Sequence, residues 1–65
     1  MATKHLVLEI LEQNRDKNIS GEHIAGVLDL SRNMIWRAIR ALRNDGYVIE
    51  AVTNKGYRLT GGGIL

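Results

Sequence analysis

The chain has no cysteine, so it can form neither a disulfide nor a thiolate-held metal site. Long apolar runs are missing too. None approaches the roughly 20 residues of a membrane-spanning helix, and no signal peptide is visible. The two histidines, His5 and His23, are far apart in sequence and have no other metal ligand grouped beside them. No nucleophile sits near a base, and no glycine-rich loop is built to cradle phosphate, so an enzyme reading has nothing to stand on. A chain of 65 residues buries only about 60% of its unfolded surface, enough for one small core but not for a deep cleft. The expectation is one soluble, cytoplasmic domain with no catalytic residues, metal or cofactor.

One sign of charge is missing locally. No acid falls between Ser31 and Asn44, a stretch that carries Arg32, Arg37, Arg40 and Arg43. Residues 1–30 hold three cations against five acids, a net −2, and residues 31–65 hold six against two, a net +4. A split of this kind points to nucleic-acid contact by the second half. Charge alone gives equal weight to a solvated arginine-rich helix face.

What is present reads as three helices and a hairpin. Met1 to Asn14 is the first helix, with Thr3 as its N-cap and Val7, Ile10 and Leu11 sharing a face at 3- and 4-residue spacing. After the polar link Arg15 to Asn18, Ile19 is an isolated apolar residue suited to a short strand. Ser20 caps a second helix of about two turns. Its Glu22 lies where the helix dipole favours an anion, and Ile24, Ala25 and Leu28 form its buried side. Asp29 and Leu30 make a tight turn, Asp tolerating a left-handed backbone and Leu30 plugging the angle. Ser31 caps the third helix, which turns Ile35, Ala38, Ile39 and Leu42 inward. At about 100° per residue, Asn33, Arg37, Arg40 and Asn44 point outward, and Arg32, Trp36 and Arg43 run along the border. Gly46 ends the helix as a left-handed cap.

From Tyr47 the apolar period changes to two. Tyr47 to Val52 and Tyr57 to Leu59 flank Thr53-Asn54-Lys55-Gly56, a β-hairpin with Gly56 at positive φ. Gly61, Gly62 and Gly63 then read as a flexible exit. Ile64 and Leu65 suggest that the domain, residues 1–60, leads into a further domain not contained in the chain.

This order of elements predicts an α+β fold, a winged helix-turn-helix with a short third strand near Ile19. Such a fold places its third helix in the major groove of double-stranded DNA and its wing on adjacent backbone or minor groove. The candidate DNA-binding residues follow from their chemistry. Arg37 and Arg40 suit guanine O6/N7, and Asn33 suits adenine N6/N7. Arg32 is better placed for phosphate. Trp36 either closes the core edge or lies against the sugar-phosphate backbone, with mixed burial expected. Asn54 and Lys55 at the wing tip meet phosphate, and Ser20 and Ser31 mark helix N-termini with free N–H donors. Arg43 reaches either phosphate or an acid of the wing. Arg58 faces away from the core and flanks the wing contact.

The pattern is closest to one family. Ser31-Arg32, Trp36, Ile39, Leu42 and Gly46-Tyr47, followed by Lys55-Gly56-Tyr57-Arg58-Leu59, resemble the N-terminal domain of the bifunctional biotin protein ligases that act as biotin operon repressors. The likeness covers roughly residues 4–60. It implies a sequence-specific transcriptional repressor domain, monomeric in isolation, whose dimerisation and control by biotinyl-adenylate reside in a following ligase domain. The ligase's Gly/Arg-rich loop is absent here, and the triglycine does not replace it. Asp29 departs from the glycine often found at this turn. The alternatives are a winged helix from an unrelated ligand-sensing regulator, or a protein-interaction module. The latter calls for an acidic or apolar outer face on the third helix, against which the four arginines argue.

Overall fold

Apolar side chains at helical spacing and then at alternate positions produce the expected order of elements. The computed structural model describes residues 3–62. These form α1 (Thr3–Gln13), α2 (Gly21–Leu28), α3 (Arg32–Asn44), β1 (Tyr47–Val52) and β2 (Gly56–Gly62). The two strands pair antiparallel, and the three helices followed by this hairpin make a winged helix-turn-helix. Among the described residues, no helix is long and apolar enough to cross a membrane.

The core draws on every element. Val7 and Leu11 come from α1, Ile24 and Ala25 from α2, and Ile35, Ala38, Ile39 and Leu42 from α3. Ile49 and Leu59 close it from the hairpin. Ile10 and Leu8 pack against this cluster half-buried, so α1 turns a narrower stripe inward than its apolar count suggests. Thr3, expected as the cap of α1, is already helical. Any residue capping α1 therefore precedes it, and Met1 and Ala2 lie outside the described residues.

The turn between α2 and α3 fixes their angle. Asp29 takes the left-handed conformation at φ 57°, and its N–H reaches back to the carbonyls of Ala25 and Gly26. The Leu30 N–H donates to the Ala25 carbonyl at 2.9 Å, which leaves the Leu30 side chain against the core. Asp29 thus adopts the backbone that glycine would supply, so the departure from the glycine of simpler helix-turn-helix proteins leaves the left-handed turn in place.

The third strand expected near Ile19 is reduced to one residue. Ile19 and Tyr57 form an isolated antiparallel bridge, with their N–H groups exchanging bonds at 2.8 Å in both directions. The bridge ties the loop before α2 to the start of β2, beside the wing turn. The glycine run behaves differently from the flexible exit expected of it. Gly61 pairs with Val48 and Gly62 with Tyr47, so both belong to β2. A register shift opposite Val48 and Ile49 leaves Thr60 as the extra residue, and Gly62 at φ 89° lets the strand end close to Gly46. Gly63, Ile64 and Leu65 lie outside the described residues.

Candidate nucleic-acid interface

Two capped helix starts and one hairpin tip converge on a groove. The Ser20 hydroxyl oxygen accepts from the His23 N–H at 2.9 Å, and the Ser31 oxygen accepts from the Met34 N–H at 3.2 Å. Each serine satisfies one donor of its helix's first turn and leaves others free. The groove has a volume of about 510 Å³ and runs between the N-termini of α2 and α3 and the wing. Ser20, Arg32, Asn54 and Lys55 all line it, together with Glu22 and Tyr57. Four of the nine candidate residues are therefore brought together here. Asn54 sits at the tip in a left-handed conformation, φ 65°.

Trp36, Arg37 and Arg40 are brought together at a second place. With Ala41 and Asn44 they surround a shallow depression of about 300 Å³ on the outer side of α3. Arg32, Trp36 and Arg40 follow one another at four-residue spacing, so one row leads from the groove to the depression. Asn33 is exposed and lines neither. Ser31 also lines neither and acts as a cap.

Trp36 is 46% exposed, the mixed burial expected of a side chain on the border between the two faces. Four aliphatic residues of α3 already fill the space beneath the helix, which leaves the indole on the surface. The Arg40 guanidinium carbon lies 4.9 Å from the centroid of that ring, a cation–π arrangement.

The ion pairs explain which cations remain available. Lys4 pairs with Asp45 at 2.6 Å, Arg15 with Glu12 at 2.9 Å, and Arg58 with Glu50 across the hairpin. Arg58 is therefore held by its own sheet. Among the described residues, Arg43 pairs with no acid of the wing. Its Nε and Nη2 donate to the Ile49 carbonyl at 3.1 and 2.8 Å, so it ties α3 to β1. Among the described residues, Arg32, Arg37, Arg40 and Lys55 take part in none of the ion pairs, nor does Lys17, which lies on neither α3 nor the wing. Asn44, passed over as a candidate, lines the depression, and the 100° spacing that places it beside Asn33 was the available signal. Among the described residues, no group of three or more His, Cys, Asp or Glu could hold a metal ion.

A sequence family described as an HTH domain matches residues 3–58. The chain belongs to this helix-turn-helix family. It is also similar to the bifunctional ligase/repressor BirA of Bacillus subtilis (strain 168), with 43% identity over 53 residues. The BirA of Bacillus spizizenii (strain ATCC 23059 / NRRL B-14472 / W23) matches equally, at 43% over 53 residues. The match takes in 82% of this chain but 16% of each relative. The resemblance read from the Ser31-Arg32 to Leu59 pattern thus holds along most of the domain, and it concerns a small part of the longer proteins.

Proposed function

We propose that this domain reads double-stranded DNA as the operator-binding part of a transcriptional repressor of the ligase/repressor type. The observation that carries the reading is the set of four cations, Arg32, Arg37, Arg40 and Lys55, on α3 and the wing tip. All four remain outside the ion pairs that occupy other basic residues of the domain. A helix held from beneath by Ile35, Ala38, Ile39 and Leu42 and unneutralised on its other side suits insertion into a polyanionic groove.

Division of labour follows from position. Asn33, Arg37 and Arg40 face base edges in the major groove. Arg32, Asn54 and Lys55 meet phosphates on the two sides of the wing groove, and the N–H groups at Ser20 and Ser31 supply further donors. Glu22 in the same groove keeps phosphate toward its Arg32 and Lys55 side. The domain itself catalyses nothing; ligase activity belongs to the much larger remainder of such a protein. That remainder also supplies dimerisation, and two copies on a palindromic cytoplasmic operator gain affinity through effective concentration.

The test is selection of bound duplexes from a randomised pool, followed by titration with salt. A sequence preference whose binding weakens linearly with log salt is expected. The absence of any duplex binding at low salt would sink the reading.

A further inference from the structure

We propose that Trp36 and Arg40 act as one composite reader of a thymine–guanine step, with Trp36 as the positioning residue that aims the Arg40 fork. The inference rests on the DNA-binding reading and assigns specificity within it. Trp36 is the only tryptophan of the chain, and the core does not need it. Ile35, Ile39 and Leu42 are each at most 1% exposed and fill the space beneath α3. The indole is left 46% open to water on a cationic helix face, where a nucleic acid lying on α3 would meet it.

The geometry supplies a use for it. The Arg40 guanidinium stacks 4.9 Å from the ring centroid. A guanidinium held over an aromatic ring has already lost part of the rotational freedom that an exposed arginine must give up to form two bonds with a guanine edge. Among the described residues, Arg37 lies over no aromatic ring. The structure thus distinguishes two arginines that sequence alone treats as equivalent. The depression at this place combines two apolar members, Trp36 and Ala41, with three polar ones, Arg37, Arg40 and Asn44. Apolar surface beside a guanine-reading fork fits the 5-methyl group of a neighbouring thymine, which projects into the major groove.

The probe is a randomised duplex pool bound by the 65-residue chain. The enriched duplex is then remade with single-base changes for competition binding. Exchanging the read guanine for adenine is expected to weaken the wild-type complex about tenfold. Exchanging the adjacent thymine for uracil, which deletes only a methyl, should weaken it about fourfold. Trp36→Ala should flatten both differences, and Trp36→Phe should restore most of each. Arg40→Lys keeps the charge but lacks the fork, and should lose the guanine preference. In the free protein, Arg40→Ala should shift the Trp36 emission, a readout of the stack that needs no DNA.

Trp36→Ala weakening every duplex by the same factor would assign the ring to the backbone and overturn the proposal. So would a Trp36→Ala variant that keeps wild-type discrimination. If that variant does not fold, the uracil exchange on the wild type and the Arg40→Lys preference decide the matter. Retention of no duplex at all removes the DNA reading and this inference together. Sequence-selective binding that is indifferent to Trp36 removes only the inference.

Discussion

Gly56 approaches Ile19 so closely that a Cβ built on it would stand 2.3 Å from the Ile19 carbonyl oxygen. The same oxygen accepts the Tyr57 N–H at 2.8 Å. Gly56 also holds φ 104°, a conformation costly for any residue with a side chain. The Lys55-Gly56-Tyr57 run therefore serves two masters: its lysine is offered at the wing tip, and its glycine lets the start of β2 dock on the loop before α2. Gly56→Ala is expected to break the Ile19–Tyr57 bridge and strain the turn together. The cost should be about 2–4 kcal/mol, read as a fall in the urea midpoint.

The division between legible and illegible features follows the range of the interaction concerned. Ser20, Ser31 and Gly46 announced the ends of α2 and α3 because capping is decided within a few residues of the chain. The inward faces were legible for the same reason, since Ile35, Ala38, Ile39 and Leu42 repeat with the helix period. Arg43 was not legible. The helix period places it on the border, but its bond to Ile49 depends on where β1 returns beside α3. Gly61 and Gly62 misled because glycine composition signals freedom, whereas cross-strand pairing with Val48 and Tyr47 ordered them. Trp36 was ambiguous at the border of the helix until the core proved full without it.

Arg43 offers a control that charge alone would not suggest. Its two hydrogen bonds to the Ile49 carbonyl make it a fastening between α3 and the sheet. Arg43→Ala should lower stability by about 1–2 kcal/mol. Its DNA affinity, measured at a temperature where the variant is folded, should stay within about twofold of the wild type. A loss of affinity as large as that of Arg37→Ala would place Arg43 in the interface instead.

Asp29 carries a left-handed backbone at φ 57° without glycine's indifference to it. Asp29→Gly removes that strain but also frees the unfolded chain, and the two effects oppose each other. The αL penalty of about 1–2 kcal/mol exceeds the entropic cost of about 0.5–1 kcal/mol. A net gain of several tenths of a kcal/mol is expected, seen as a rise in melting temperature with DNA binding unchanged. A fall in melting temperature would mean that the aspartate side chain supports the turn.

Arg32, Arg37, Arg40 and Lys55 should separate into two classes when binding is measured against salt. A phosphate contact releases counterions whatever the base sequence, and each one contributes about −0.9 to the slope of log affinity against log salt. Lys55, at the exposed tip of the wing, should act this way. Lys55→Ala is expected to weaken preferred and random duplexes by the same factor and to reduce the slope by about one. Arg37 lies on the outer side of α3, and its loss should fall mainly on the preferred duplex. Arg37→Ala should cost about 1–3 kcal/mol there and considerably less on random sequence. Fluorescence anisotropy on both duplexes across a salt series measures all four quantities. If Lys55→Ala changed preference while Arg37→Ala changed only the slope, the roles of wing and helix would be reversed, with α3 lying along the backbone and the wing in the groove.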